Sequence, residues 1–304
     1  MEIMTRAVTV GLDGSRESLA AAEWAAREAR LLDLPLKLVH VWEPVPDPIA
    51  QAPLLGAETH QHWTERIPRE AAEGLRARHP GLRVTTEQLS GRPSEMLVGA
   101  AKDARLLVLG SRGLSGIGGF MVGSVGLAVI AHADRPVVVV RAGEQAPDEH
   151  ETDPVGSPSA ATPFRPVVLG LDIDSPDEEL IGFAFEAAVR RGTSVRVVHG
   201  WTPPPYYVYG LAADLELHGS LALRENTALT EVMRPWRQKF PQVEVTEESP
   251  YGTPGNHLVD ASREASLVVV GRRIRRGAFG AHIGPVAHAV LHHSSAPVAV
   301  VPHD

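Results

Sequence analysis

Gly110-Ser111-Arg112-Gly113, nine intervening residues and then Gly123-Ser124 make a glycine pattern suited to holding phosphate. The pattern follows the apolar run Leu106–Leu109 directly, so the expected order is a strand, a turn free of side chains, and a helix opening at Ser124. Gly110 and Gly113 let the chain turn and approach a ligand, because a Cβ at either place would stand in the way. A helix start concentrates roughly half a positive charge together with unpaired N–H groups, which is where phosphate oxygens bind. The Ser124 hydroxyl adds a donor, and Arg112 offsets phosphate charge. A divalent cation is expected to share that task, since the loop has little other positive charge.

Two further positions fit a nucleotide. Asp13 is an acceptor for a ribose hydroxyl or an adenine amine, or else a cap for the next helix together with Ser15. Val41, just after His40, offers backbone groups to a base edge and an apolar side chain to its face. Asp13, Val41 and Gly110 all stand at expected strand ends, so they can converge on one crevice.

The elements that must position them occur twice. Gly11-Leu12-Asp13 recurs as Gly170-Leu171-Asp172, His40-Val41-Trp42 as His199-Gly200-Trp201, and Gly91-Arg92-Pro93 as Gly252-Thr253-Pro254. So many anchors in order indicate a duplicated domain. Residues 1–142 form the first copy, 164–304 the second, and the Pro-, acid- and Ser-rich stretch 143–163 reads as a flexible linker. In the first copy the strands are expected at Val8–Leu12, Leu36–Trp42, Val84–Leu89, Leu106–Leu109 and Val137–Val140. Helices are expected at Ser15–Leu32, Ala57–His79, Ser94–Lys102 and Ser124–Ala133. Apolar strands alternating with helices specify an α/β fold: two tandem doubly wound domains, each a mainly parallel five-stranded sheet flanked by helices.

The chain has 304 residues, no cysteine, 43% hydrophobic and 22% charged residues. Disulfides, thiolate metal sites and cysteine nucleophiles are excluded. Apolar runs are too short for a membrane span, and no secretory signal pattern is seen, so a cytoplasmic location is expected. A net charge of −8 argues against nucleic acid as the main partner.

These residues resemble the universal stress protein family, over nearly the whole chain as two tandem copies. The most specific element is Gly-x2-Gly-x9-Gly-Ser/Thr, met at Gly110, Gly113, Gly123 and Ser124; Gly11-Leu12-Asp13-Gly14-Ser15, His40-Val41 and Arg135-Pro136 with the valines after it agree. The resemblance implies ATP, accompanied by Mg2+, bound by Asp13, Val41, Gly110, Gly113, Gly123, Ser124 and Val125, with Gly11 and Leu12 leading into the site. It also implies pairing of domains through the final strands, Val137–Val140 and Val298–Val301, inside one chain or in a homodimer. The function implied is a stress-response regulator whose protein partners respond to bound nucleotide.

The second copy departs from the pattern. Ile274 stands for Gly113 and Pro285 for Ser124, while Asp172, Gly271, Gly284 and Val286 remain. Ile274 is poorly suited to a left-handed turn, and Pro285 removes an N–H donor. Whether this half binds nucleotide stays open. Arg272, Arg273, Arg275 and Arg276 are a solvated loop, or else compensate for lost backbone donors, hold a different anion or touch nucleic acid, and His288 with His292 are surface or packing residues ahead of metal ligands. His60 and His62 flank one residue on a helix and point apart, and Gly116-Ile117-Gly118-Gly119 has Met121 where a dinucleotide fingerprint needs glycine. No catalytic signature is present, so at most slow hydrolysis is expected. A slow ATPase or phosphotransferase and a nucleotide-independent scaffold are the alternatives.

Overall fold

The computed structural model describes residues 6–43, 57–113, 120–203, 215–274 and 282–304, without the side chains of 57–65, 112–113, 120–121, 215 and 217. Apart from residues 276–282, which group with the first unit, the chain divides into two compact units between Gln145 and Ala146.

In the first unit, β1 (Ala7–Leu12), β2 (Leu36–Trp42), β3 (Val84–Ser90), β4 (Ala104–Gly113) and β6 (Val137–Arg141) form a parallel sheet in the order β3-β2-β1-β4-β6. Val8, Val10, Leu106, Leu107, Val138 and Val140 are buried on both faces, which is why these strands read as continuous apolar runs. The helices are α1 (Arg16–Leu31), α2 (Ala57–Arg78), α3 (Pro93–Lys102) and α4 (Ser124–His132). The two-residue strand β5 (Phe120–Met121) pairs antiparallel with the tip of β4. Because β1 lies between β2 and β4, the winding reverses at β1 and β4, and the place where sheets of this kind bind ligands is beyond their carboxyl ends.

α1 shows how sequence sets this geometry. Ser15 caps it, its Oγ accepting from the Ser18 N–H at 3.1 Å. Ala21, Ala22, Ala25, Ala26 and Ala29 form its buried face, so the helix lies very close to the sheet. Glu23, on the same helix, accepts from His79 at 2.9 Å and pairs with Arg78. Burial works to raise its pKa, but the His79 and Arg78 contacts prevail and hold it below the usual 4.5. A carboxyl group lowered on folding adds stability above its unfolded value and loses it as pH falls through the folded one. Glu23→Gln should therefore melt below the wild type near neutrality, and the gap should close as the melting series is carried below about pH 4.5.

In the second unit, β7 (Val167–Gly170), β8 (Val195–Val198), β9 (Val245–Glu248), β10 (Leu267–Arg273) and β11 (Val298–His303) are parallel in the order β9-β8-β7-β10-β11. Its helices are α5 (Glu178–Arg191), α6 (Leu215–Lys239), α7 (Pro254–Ala261) and α8 (Pro285–His293). The two sheets share one strand order, as the repeat requires. Within 143–163, the expected linker, a 3-10 turn spans Ala146–Glu149, and isolated bridges join His150 to Phe164 and Thr152 to Pro158. The His150 ring lies 4.0 Å from that of Phe164, and Asp153 Oδ1 accepts from the N–H groups of Val155 and Ser157.

One expectation is corrected. Gly110 does not begin a turn: β4 runs on to Gly113, with Gly110 opposite Val140, Ser111 opposite Arg141, and Arg112 and Gly113 opposite Met121 and Phe120. The neighbouring strands supply the hydrogen bonds that hold this polar stretch extended. Ile274 is not left-handed either. Among the described residues positive φ belongs to Asp33 and seven glycines, with Gly110, Gly123 and Ile274 outside the set.

Candidate nucleotide site at the carboxyl ends of β1, β2 and β4

Parallel register brings the expected residues to one end of the first sheet. Leu12 is opposite His40, and Val10 is opposite Val108, so Asp13, Val41 and the Gly110–Gly113 stretch lie at adjoining strand ends. The pairing of Met121 with Arg112 returns the chain to the tip of β4, and Gly123 follows two residues later. The Arg112 side chain and residues 114–119, including Gly116 to Gly119, lie outside the described residues.

The three glycines of the motif differ in what surrounds them. A Cβ on Gly110 would stand 2.5 Å from the Glu17 carbonyl carbon and oxygen and 2.8 Å from the Ser18 nitrogen, so this glycine makes room for the backbone of α1. Gly11 likewise accommodates packing, with Leu109 and Leu97 methyls 2.9 and 3.2 Å from where its Cβ would be. Gly113 closes the short pairing with β5. Gly123 is the exception: among the described residues nothing lies within 4 Å of its Cβ position, and φ of −63° is open to any residue. Neither packing nor backbone conformation demands glycine there. It is the N-cap of α4, and no side chain caps that helix. The first intrahelical bond runs from Leu127 N–H to Gly123 O at 3.0 Å, so the N–H groups of Ser124, Val125 and Gly126 lack partners one turn back. Ser124 and Val125 are exposed. A bare helix start facing free space is an anion site by chemistry.

Asp13 is held rather than loose. Its Oδ1 accepts from the Ser15 N–H at 3.0 Å and the Ser15 hydroxyl at 2.5 Å. Partial burial works to raise its pKa, but hydrogen bonds from Ser15, then Ser18, outweigh it and hold the group below its ordinary value. The carboxylate is therefore ionised at neutral pH and acts only as an acceptor. The N-cap of α1 is Ser15, and Asp13 Oδ1 braces that cap rather than capping a helix N–H itself. Val41 is half-buried at the end of β2, and Leu12 is buried.

Sequence reasoning overlooked His40 itself. The buried ring faces Leu12 O with Nδ1 at 2.8 Å, so Nδ1 carries the proton and braces the carbonyl just before Asp13. His199 does the same for Leu171 O at 3.1 Å. The available signal was a histidine recurring inside both apolar strand runs.

In the second unit Asp172 is exposed and accepts from the Asp174 N–H at 3.2 Å, Gly271 lies within β10, and Gly284 is the N-cap of α8. Val286 is half-buried in the first turn of that helix. Arg272 is a correction: it is buried on β10, not solvated in a loop, and Arg273 ends the same strand. Arg275 and Arg276 lie outside the described residues, and so do the side chains of His60 and His62. His288 and His292 bring their rings to 4.3 Å, and no group of three or more His, Cys, Asp or Glu suited to a metal occurs among the described residues. Trp201 donates to Ser249 O at 3.1 Å and packs edge-on against Tyr251, so it shapes the strand exit.

Comparison with known proteins places the chain in a family. The model of the universal stress protein family matches residues 4–141 and 163–302. A universal stress protein of Mycolicibacterium smegmatis is 32% identical over 304 residues, covering 97% of this chain and 96% of that protein. Universal stress protein Rv2005c of Mycobacterium tuberculosis is 31% identical over 312 residues, covering 96% of each. The crystal structure of a universal stress protein from Archaeoglobus fulgidus aligns with a TM-score of 0.68 at 17% identity, over 98% of both chains, which concerns the fold. With its domain repeated twice along nearly its whole length, the chain belongs to the universal stress protein family.

Proposed function

We propose that the first copy binds an adenine nucleotide, ATP with Mg2+, and that the chain is a cytoplasmic stress-response regulator whose protein contacts change with nucleotide occupancy. The observation that carries this reading is Gly123: a glycine required by neither packing nor φ, at the uncapped start of α4. The phosphates lie against the Ser124, Val125 and Gly126 N–H groups, with the Ser124 hydroxyl as a further donor and Arg112 contributing charge. Asp13 accepts from the ribose or the adenine amine, and Val41 takes one face of the base. Mg2+ fits as a companion of the phosphates: the described residues offer no carboxylate cage, and this ion is commonly held by few protein oxygens and several waters. Pairing through the last strands, within a chain or in a homodimer, belongs to the same reading.

The described residues at the site supply acceptors and phosphate donors but no evident base to orient a water, so ATP is retained with slow turnover. No helix among the described residues is long and apolar enough to cross a membrane. The test is chromatography of nucleotide released from freshly purified, denatured protein, paired with steady-state hydrolysis. ATP released from the protein, with turnover well below about one per second, is the expected result. Faster turnover indicates an ATPase or phosphotransferase. No nucleotide, even after incubation with Mg·ATP, indicates a nucleotide-independent scaffold.

A further inference from the structure

The second unit has the same strand order as the first, and Gly284 starts α8 with φ of −63° and nothing within 4 Å of its Cβ position among the described residues, as Gly123 starts α4; its base side, its first helical residue and its charge differ. On the base side, Gly200 stands where Val41 stands in the first copy, and a Cβ there would lie 2.5 Å from Pro254 Cα, 3.0 Å from its Cβ and 3.1 Å from its nitrogen. Pro254 opens α7, as Pro93 opens α3 in the first copy, where Val41 keeps its side chain. The helix start has thus closed onto the strand end, and the apolar platform for a base is gone.

The phosphate side is altered independently. Pro285, first residue of α8, has no N–H to give. The Ile274 N–H, at the position of Gly113, is already spent on His303 O at 2.6 Å. The His303 ring and a Leu180 methyl lie 2.6 and 3.1 Å from the Cβ position of Gly271, filling a place that the α1 backbone fills over Gly110.

Charge adds a third, separate obstacle. α1 is capped by the neutral Ser15, whereas α5 is capped by the carboxylate of Asp177, whose Oδ1 takes the N–H groups of Glu179 and Leu180 at 2.9 and 3.0 Å. The chain after β7 carries Asp172, Asp174, Asp177, Glu178 and Glu179 with no basic residue among them, against Asp13 and Glu17 offset by Arg16 after β1. An acidic rim lowers the local concentration of a polyphosphate anion.

We infer that the second copy is closed to nucleotide, with Asp177, Pro254 against Gly200, and Pro285 as the residues that exclude it, so that each chain carries one nucleotide. This rests on the reading of the first copy given above. The experiment is equilibrium dialysis of the full chain with radiolabelled Mg·ATP, followed by photolabelling with 8-azido-ATP and peptide mapping. One nucleotide per chain, with label confined to peptides of residues 6–142, is the expected result. Two nucleotides per chain, or label in residues 164–304, overturns the inference while leaving nucleotide binding by the protein intact. No binding anywhere overturns the first-copy reading and the one-site claim with it. As a second arm, Gly123→Glu should bind none while melting like the wild type; a nucleotide retained by that variant and mapped to residues 164–304 also overturns the inference.

Discussion

Gly123→Glu is expected to lower nucleotide affinity by about a thousandfold with the fold unchanged. Among the described residues nothing lies within 4 Å of the Cβ position and φ is −63°, so the substitution starts without a clash at Cβ and without backbone strain. Its carboxylate enters the space in front of the uncapped α4 start, where the phosphates are placed. Two like charges about 4 Å apart at an effective dielectric near 20 repel by about 4 kcal/mol, which corresponds to about three decades of affinity. Titration calorimetry supplies the affinity and thermal denaturation the control. Unchanged affinity would mean that the phosphates lie elsewhere.

Gly110→Ala should do the reverse, destabilising the fold whether or not nucleotide is present. The added methyl would sit 2.5 Å from the Glu17 carbonyl, and the atoms it meets are backbone of α1, which cannot swing aside as a side chain can. Moving α1 off the sheet also disturbs its alanine face and the Ser15 cap. Overpacking of this kind costs about 3 kcal/mol, visible as a lower melting temperature for the first copy. Gly271→Ala is the matched control: its nearest atoms belong to the His303 and Leu180 side chains, so the loss should be smaller. Equal losses at Gly110 and Gly271 would refute the distinction between backbone and side-chain neighbours.

The two glycines also show what the sequence conveyed and what it withheld. Both belong to one spacing pattern, and the pattern located the crevice, because strands buried on two faces betray themselves as apolar runs and their ends can be counted. The pattern did not say that Gly110 answers to α1 whereas Gly123 answers to none of the described residues. That difference depends on a helix almost a hundred residues earlier. The extension of β4 through Gly-Ser-Arg-Gly was hidden for a similar reason: these residues have little strand propensity, and pairing with β6 and β5 holds them extended. Ser15 could be named as a cap from its place before an alanine-rich run. His40 could not be given its role, because a buried histidine inside a strand reveals its partner only when the neighbouring strand is in register. In the second copy Pro285 announced a missing donor in the sequence itself, while the closure of Pro254 onto Gly200 needed coordinates.

The most direct measurement is a crystal structure of the chain grown with Mg·ATP. The account predicts triphosphate density against the first turn of α4, between Gly123 and the tip of β4, with the adenine beside Val41 and Asp13. An empty α4 start, with the nucleotide ordered in some other cavity, would contradict it.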